Sequence, residues 1–301
     1  MQEILTGEVE DDENTREYYS HDASMFELLP ELVVYPKTSD DLKSLVKFVA
    51  HTKESLPNLS ITPRSAGTDM SGGAIGQSIV VDFTRHFNSI SAVTKTDAQV
   101  QPGVYYRDLE RKTLNRGSLL PSYPASKDLC TVGGMVSNNS GGEKSLEYGK
   151  TEDFVEELKV IFADGNEYVV KPLTKKELDK KIAQQDYEGN IYNKIFQLVD
   201  GNYDEIKQAK PNVSKDSTGY HLWNVWDRDT GIFDLTRLIT GSQGTLGLIT
   251  DIKFRLVDAP KHSGTLVIFL RNTDDLGYLI NKVLDHKPAT FEGFDNYRSE
   301  E

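Results

Sequence analysis

Between two β-branched runs, residues 59–62 and 78–83, lies Pro63-Arg64-Ser65-Ala66-Gly67-Thr68-Asp69-Met70-Ser71-Gly72-Gly73, a segment of small residues that leads into a strand and not a helix. Residues with little or no side chain let successive backbone N–H groups turn to one side and form an anion-binding nest. Ser65, Thr68 and Ser71 add hydroxyl donors, and a bound diphosphate suits that geometry. A flexible surface turn has the same composition, so the loop by itself leaves both readings open. What it excludes is clearer. A Rossmann-type loop needs G-x-G-x-x-G between a strand and a helix, and Gly241-Ser242-Gln243-Gly244-Thr245-Leu246-Gly247 lacks that spacing as well. A P-loop needs G-x-x-x-x-G-K-[ST], and the nearest stretch, Gly141-Gly142-Glu143-Lys144-Ser145, puts a glutamate between glycine and lysine.

The flanking pattern is that of an α+β fold. Residues 31–36 (ELVVYP) read as a short strand closed by proline. Thr38-Ser39-Asp40-Asp41 matches the capping box, in which a hydroxyl and an acid three places on satisfy the first free N–H groups of a helix. Leu42, Leu45, Val46 and Val49 then recur at i, i+3, i+4 and i+7, one apolar stripe. Val100-Gln101-Pro102-Gly103 reads as a strand entering a turn, 104–115 as a helix, and 117–150 as a long ordered connection with one short helix. Residues 155–163 and 167–170 form a hairpin through Asp164-Gly165. A charged helical insertion spans 173–230, followed by a short helix at 235–240 and a long alternating strand at 246–257. After Pro260 come a strand at 264–270, a helix at 273–286 and a strand at 289–294, too little to close a core. That last unit reads as the start of a further domain, in a fragment or in a chain completed by a partner.

Composition narrows the partners. The chain has 301 residues, 27% of them charged, and a formal net charge of −13, without the cationic footprint that nucleic-acid phosphates require. No stretch approaches the roughly 18–20 apolar residues of a membrane helix. The first twenty residues are acidic and polar, unlike a signal peptide, so a cytoplasmic protein is expected. A single cysteine, Cys130, excludes an internal disulfide and any Cys-based zinc or iron–sulfur site within the chain.

A second glycine-rich segment, 121–149, reads PSYPASKDLCTVGGMVSNNSGGEKSLEYG. Thr131-Val132-Gly133-Gly134 joins a hydroxyl to two residues that let another group approach the backbone, and Asn138, Asn139 and Ser140 supply donors and acceptors. Such a surface suits a planar polar heterocycle, which needs flat contact and edge hydrogen bonds. A packing loop would use the same glycines.

Taken in order, PRSAGTDMSGGAIG, VQPGV, PSYPASKDLCTVGGMVSNNSGGEKSLEYGKTEDFV and ITGSQGTLGLIT resemble the PCMH-type FAD-binding domain of the vanillyl-alcohol oxidase type. The glycolate oxidase subunit and D-lactate dehydrogenase branch is the nearest in likeness. The resemblance covers about residues 31–257. It implies two α+β subdomains, about 31–95 and 96–257, with FAD between them, after an N-terminal segment at 1–30 and before the beginning of an α+β cap at 258–301. It implies that Ser65, Ala66, Gly67, Thr68, Asp69 and Ser71 bind the pyrophosphate and that Pro102 and Gly103 lie against the cofactor. Pro124, Asp128, Thr131, Gly133, Gly134, Asn138 and Ser140 would line the ribityl and flavin, and Ile249 would offer backbone contacts near the adenine or ribityl end.

Departures from the family pattern carry information too. Members with covalent flavin often have Gly-His in the first loop, where this chain has Gly67-Thr68, and Cys130 sits one place away from the cysteine that others use. Non-covalent FAD follows. Gln243 stands where relatives commonly show the glutamate of G-S-E-G-T. The resemblance also makes Lys215 and Tyr220, in Lys215-Asp216-Ser217-Thr218-Gly219-Tyr220, candidates near the active site. The six histidines form no H-x-H or H-x-x-x-H pair, so no metal is expected, and each reads as a surface or packing residue. Relatives carry the substrate-orienting arginine and the base in a C-terminal cap. The implied activity is FAD-dependent oxidation of a small 2-hydroxy acid, D-lactate or glycolate, with an unspecified electron acceptor. Alternatives are oxidation of another alcohol or a sugar acid, or a non-catalytic flavin-binding subunit of an electron-transfer complex.

Overall fold

The computed structural model describes residues 2–213 and 216–294. Its first layer is β1 (Glu8–Glu10), α1 (Glu13–Tyr19), β2 (Leu32–Tyr35), α2 (Ser39–Thr52), β3 (Ile61–Arg64) and β4 (Ile79–Asp82). The sheet runs β1-β2-β4-β3, with β2, β4 and β3 parallel and β1 antiparallel on the edge beside β2. Strands buried on both faces read as continuous apolar runs, and Val33, Val34, Tyr35, Ile79, Val80 and Val81 are all buried. The capping box forms as read: the Thr38 hydroxyl accepts from the Asp41 N–H, and the Asp41 carboxylate accepts from the Thr38 N–H. The stripe Leu42, Leu45, Val46 and Val49 packs on one face of the sheet, and Tyr19 of α1 closes the other. Residues expected to lie outside the domain, 1–30, therefore supply an edge strand and a covering helix. Pro63 is tolerated in β3 because that strand is at an edge, where a missing N–H costs no ladder bond.

The N-terminal strand is tied down by charge. The Glu8 carboxylate lies 2.7 Å from His86 Nε2 and 3.1 Å from Lys37 Nζ. Bonding to His86 first, and then to Lys37, pulls its pKa down to about 2. A carboxyl whose pKa is lower in the folded state stabilises the fold above its ordinary range and loses that contribution as pH falls toward the folded value. Glu8→Gln should therefore flatten the acid-unfolding profile between about pH 4.5 and pH 2, followed by circular dichroism. A variant profile that overlays the wild type through that window refutes the assignment.

The second layer comprises β5 (Ile90–Val93), β6 (Asp97–Val100), α3 (Tyr106–Leu114), β7 (Ser118–Leu119), α4 (Val132–Ser137), α5 (Ser145–Tyr148), β8 (Val155–Ile161) and β9 (Glu167–Val170). The insertion follows as β10 (Leu173–Thr174), α6 (Lys175–Ile182), α7 (Tyr187–Gly201), α8 (Tyr203–Gln208), β11 (Trp226–Asp227) and β12 (Ile232–Phe233), and α9 (Thr236–Ile239), β13 (Leu248–Arg255) and β14 (Val257–Asp258) complete the layer. The main sheet is antiparallel, β5-β6-β13-β8-β9. The β8–β9 hairpin turns at Asp164-Gly165, where Gly165 takes φ +72°. Because β5 already belongs to this sheet, the change of layer falls before residue 90, earlier than the expected 95. The 117–150 connection carries two short helices rather than one. The insertion folds as α6, α7 and α8 around the small sheet β10-β12-β11, with Phe196, Trp226, Tyr192 and Phe233 in edge and tilted contacts.

Among the described residues beyond Pro260 the one element is a helix, α10 (Leu276–Leu284). The strands expected at 264–270 and 289–294 are absent from the described residues, and Leu266 and Phe269 stand 81% and 92% exposed. A strand needs a neighbour for its N–H and C=O groups, and this segment has none among the described residues.

Candidate functional site

The two sheets meet along one apolar seam in which Ile161 and Leu248 of the second pack with Val34, Val81, Phe83 and Phe87 of the first. A cavity of about 640 Å³ opens beside it, inside the about 300–1,000 Å³ of small-molecule sites.

One wall is the loop after β3. Ser65, Ala66, Gly67, Thr68, Asp69 and Ser71 all line the cavity. Gly67 and Gly72 take φ +67° and +83°, conformations that side chains resist. The Asp69 carboxylate accepts from the Gly73 N–H at 2.5 Å and from the Ser71 hydroxyl at 2.9 and 3.0 Å. Its charge is spent on bending its own loop, which accounts for an acid in a wall suited to an anion.

The facing wall is built where α4 starts. The Gly133 N–H donates to Pro102 O at 2.8 Å, Val132 N–H to Val104 O at 2.9 Å, and Tyr106 N–H to Cys130 O at 3.0 Å. Thr131 caps α4 through the Gly134 N–H. These bonds press the 130–134 segment onto 102–106, so Pro102, Thr131, Gly133 and Gly134 share one surface, joined by Pro124. At the other end of α4, Asn138 and Ser140 face the cavity while Asn139 (φ +46°) turns inward to accept the Glu152 N–H at 3.0 Å. Ile249 of β13 completes the lining.

Fourteen of the sixteen expected cofactor residues thus converge, and two do not. A Cβ built on Gly103 would lie 2.0 Å from Phe83 O, and its N–H donates to Phe87 O at 2.7 Å, so Gly103 is a backbone packing point between the layers. Asp128 is exposed, with its carbonyl accepting from Arg107, and does not line the cavity. Tyr220 also stands outside the lining, half exposed at φ +54°, its hydroxyl bonded to Thr245. Ser217 reaches the wall from the same segment. Lys215 lies outside the described residues.

Several lining residues lie outside the set that the resemblance implied. Gln243 (φ +50°) donates its N–H to Ser137 O at 2.9 Å, and Gly244 (φ +76°) packs on Pro63, where a Cβ would sit 2.2 Å from Cγ. This loop therefore touches both walls, and its positive-φ glycine was the available signal. Cys130 lines the cavity too, and burial pushes its thiol up to about 11, so it stays protonated and a poor nucleophile near neutral pH. His221 is a buried packing group, one of the two readings open for the histidines. Its Nδ1 lies 3.1 and 3.2 Å from the Glu152 carboxylate and its ring stacks on Trp223 at 4.8 Å.

The arrangement offers backbone amides, hydroxyls and a flat glycine-proline face, a donor set that fits a dinucleotide with a diphosphate and a planar ring. Residues 30–171 match the family model described as an FAD binding domain. D-2-hydroxyglutarate dehydrogenase of Escherichia coli (strain K12) is 31% identical over 263 residues, 86% of this chain and 26% of that protein. Glycolate oxidase subunit GlcD of Bacillus subtilis (strain 168) is 28% identical over 292 residues, 95% of this chain and 50% of that protein. D-lactate dehydrogenase of Anaerostipes hadrus is 28% identical over 250 residues, covering 82% and 40%. Among solved structures, alkyldihydroxyacetonephosphate synthase superposes with a TM-score of 0.56 at 18% identity, over 84% of this chain and 39% of that one. Residues 30–171 are thus similar to an FAD binding domain, and FAD is the cofactor. It spans from about a quarter to a half of the length of these curated relatives.

Proposed function

We propose that this chain is the flavin-binding portion of an FAD-dependent oxidoreductase acting on a small D-2-hydroxy acid. The carrying observation is the cavity walled by two glycine-bearing loops from two different sheets. The named relatives act on, or are named for, D-2-hydroxyglutarate, glycolate and D-lactate, which supports a 2-hydroxy acid as the substrate class. In this reading Ser65, Gly67, Thr68 and Ser71 bind the diphosphate, and Pro102, Thr131, Gly133 and Gly134 form the face on which the ring rests. Asn138 and Ser140 hold its polar edge. FAD supplies the electron-accepting chemistry, and the chain orients it and keeps water from its face. The substrate carboxylate calls for cations, which the resemblance puts in a C-terminal cap.

The cofactor is held without a covalent bond, because the first loop has Thr68 in place of histidine and the Cys130 thiol is protonated. Acid precipitation of the loaded protein should release all the yellow colour into the supernatant. Flavin that stays with the pellet contradicts this.

No helix of the described residues is long and apolar enough to cross a membrane, and we place the protein in the cytoplasm. The exposed apolar run around Leu266 and Phe269 favours completion by a further domain or by a partner polypeptide. The test of function uses the intact gene product: FAD titration, then D- and L-2-hydroxy acids with an artificial electron acceptor. Reduction specific to D-2-hydroxy acids is expected. FAD binding with turnover only of other alcohols or sugar acids overturns the substrate class, and failure to bind FAD overturns the whole reading.

A further inference from the structure

We infer that Arg64 is the cation of the diphosphate subsite, a binding residue for the charged middle of FAD; the inference rests on the flavin reading above. Arg64 ends β3 directly before the anion loop, is only 7% exposed, and lines the cavity. Its guanidinium lies under the loop: a Cβ built on Gly67 would be 2.6 Å from Nη2. Nη1 donates to His21 O at 2.6 Å and, at 3.4 Å, to Tyr19 O and Ala74 O. The Tyr19 ring stands 5.0 Å from the guanidinium carbon.

All of these partners are neutral. Among the described residues no carboxylate makes an ion pair with Arg64. Of the acids nearby, Asp69 is committed to Gly73 and Ser71 and Asp82 to Tyr19, Thr84 and Arg85, while Glu17 and Asp22 line a second pocket with Arg64 without pairing to it. Burying a charge without a counter-ion is unfavourable unless something repays it. The carbonyl contacts are made by Nη1 alone and leave the charge without an ion-pair partner, and Arg64 borders both the cavity and a second pocket lined by the N-terminal segment. An anion in the cavity would meet the loop amides with a fixed guanidinium close behind them, a cation of the kind that strengthens hydrogen bonding to phosphate.

The same contacts explain why the N-terminal segment belongs to the site. Ala23 N–H donates to Gly67 O at 3.0 Å, and Phe26 lies against Gly72. Tyr19, His21 and Ala23 hold the guanidinium and the loop as one piece, so the cation cannot retreat from its ligand.

A purely structural arginine would weaken every ligand alike, whereas a diphosphate cation discriminates. FAD, riboflavin and inorganic pyrophosphate are titrated against apoprotein of the wild type and of Arg64→Gln. The variant should bind FAD about 10- to 150-fold more weakly, the range for a lost charged hydrogen bond, with riboflavin unchanged. Pyrophosphate should displace FAD from the wild type and fail to do so from the variant. Should Arg64→Gln not fold, Arg64→Lys takes its place, with a several-fold loss expected for FAD alone because an ammonium lacks the second nitrogen that lies against Gly67. Equal losses for FAD and riboflavin, or no loss for either, overturn the role of Arg64 while leaving the flavin reading intact. A wild type that binds no flavin of either kind removes the flavin reading itself.

Discussion

Gly133→Val should purify without colour and bind added FAD about 5- to 150-fold more weakly than the wild type. A Cβ at this position lies 2.5 Å from Pro102 Cβ and 2.7 Å from Pro102 O, distances that no real pair holds. Two branches on that carbon must push α4 away from the 102–106 turn, and overpacking of this kind costs about 1–3 kcal/mol. Both displaced pieces line the cavity, so the strain is expressed where the ring would rest. The measurement is fluorescence quenching of FAD during titration, with circular dichroism to show that the variant folds. A folded Gly133→Val protein with wild-type affinity would mean that this face is not the flavin platform.

Phe254→Ala carries the largest expected loss of stability. Phe254 is fully buried in β13, the middle strand of the second sheet, paired to Ala98 on one side and Val155 on the other. Deleting such a ring removes its burial and leaves a cavity, about 3–5 kcal/mol together. Against the roughly 5–15 kcal/mol that separates a folded domain from its unfolded chain, that is a large share. Urea unfolding followed by far-ultraviolet dichroism should show it as a lower midpoint at constant slope. A loss under about 1 kcal/mol would place Phe254 outside the load of the core.

How much could be read beforehand depended on how local the cause was. The start of α2 was legible because Thr38 and Asp41 satisfy each other within one turn, and its buried face because four residues repeat at helical spacing. The loop at 65–73 was legible as a nest only in company with the later motifs, because a surface turn uses the same small residues and glycines. Gly103 was misassigned, since a glycine that meets a ligand and one that meets a carbonyl 20 residues earlier look alike in sequence, and only the fold brings Phe83 O within reach. Asp128 lies among residues that do line the cavity, although it is itself exposed. Arg64 escaped notice because its partners, Tyr19 and His21, lie 45 and 43 residues away in a segment too polar to suggest a wall. The run at 264–270 has the composition of a strand, but pairing is a property of two segments, and the second is not among the described residues.

The seam through Phe83, Phe87, Ile161 and Leu248 has a thermodynamic corollary. A molecule seated across it binds only while both sheets keep their mutual register, so its affinity is added to the free energy that keeps them together. Loaded protein then behaves like an arch with its keystone in place: melting temperature climbs with ligand concentration, and proteases find the junction near residue 88 only after the ligand has left.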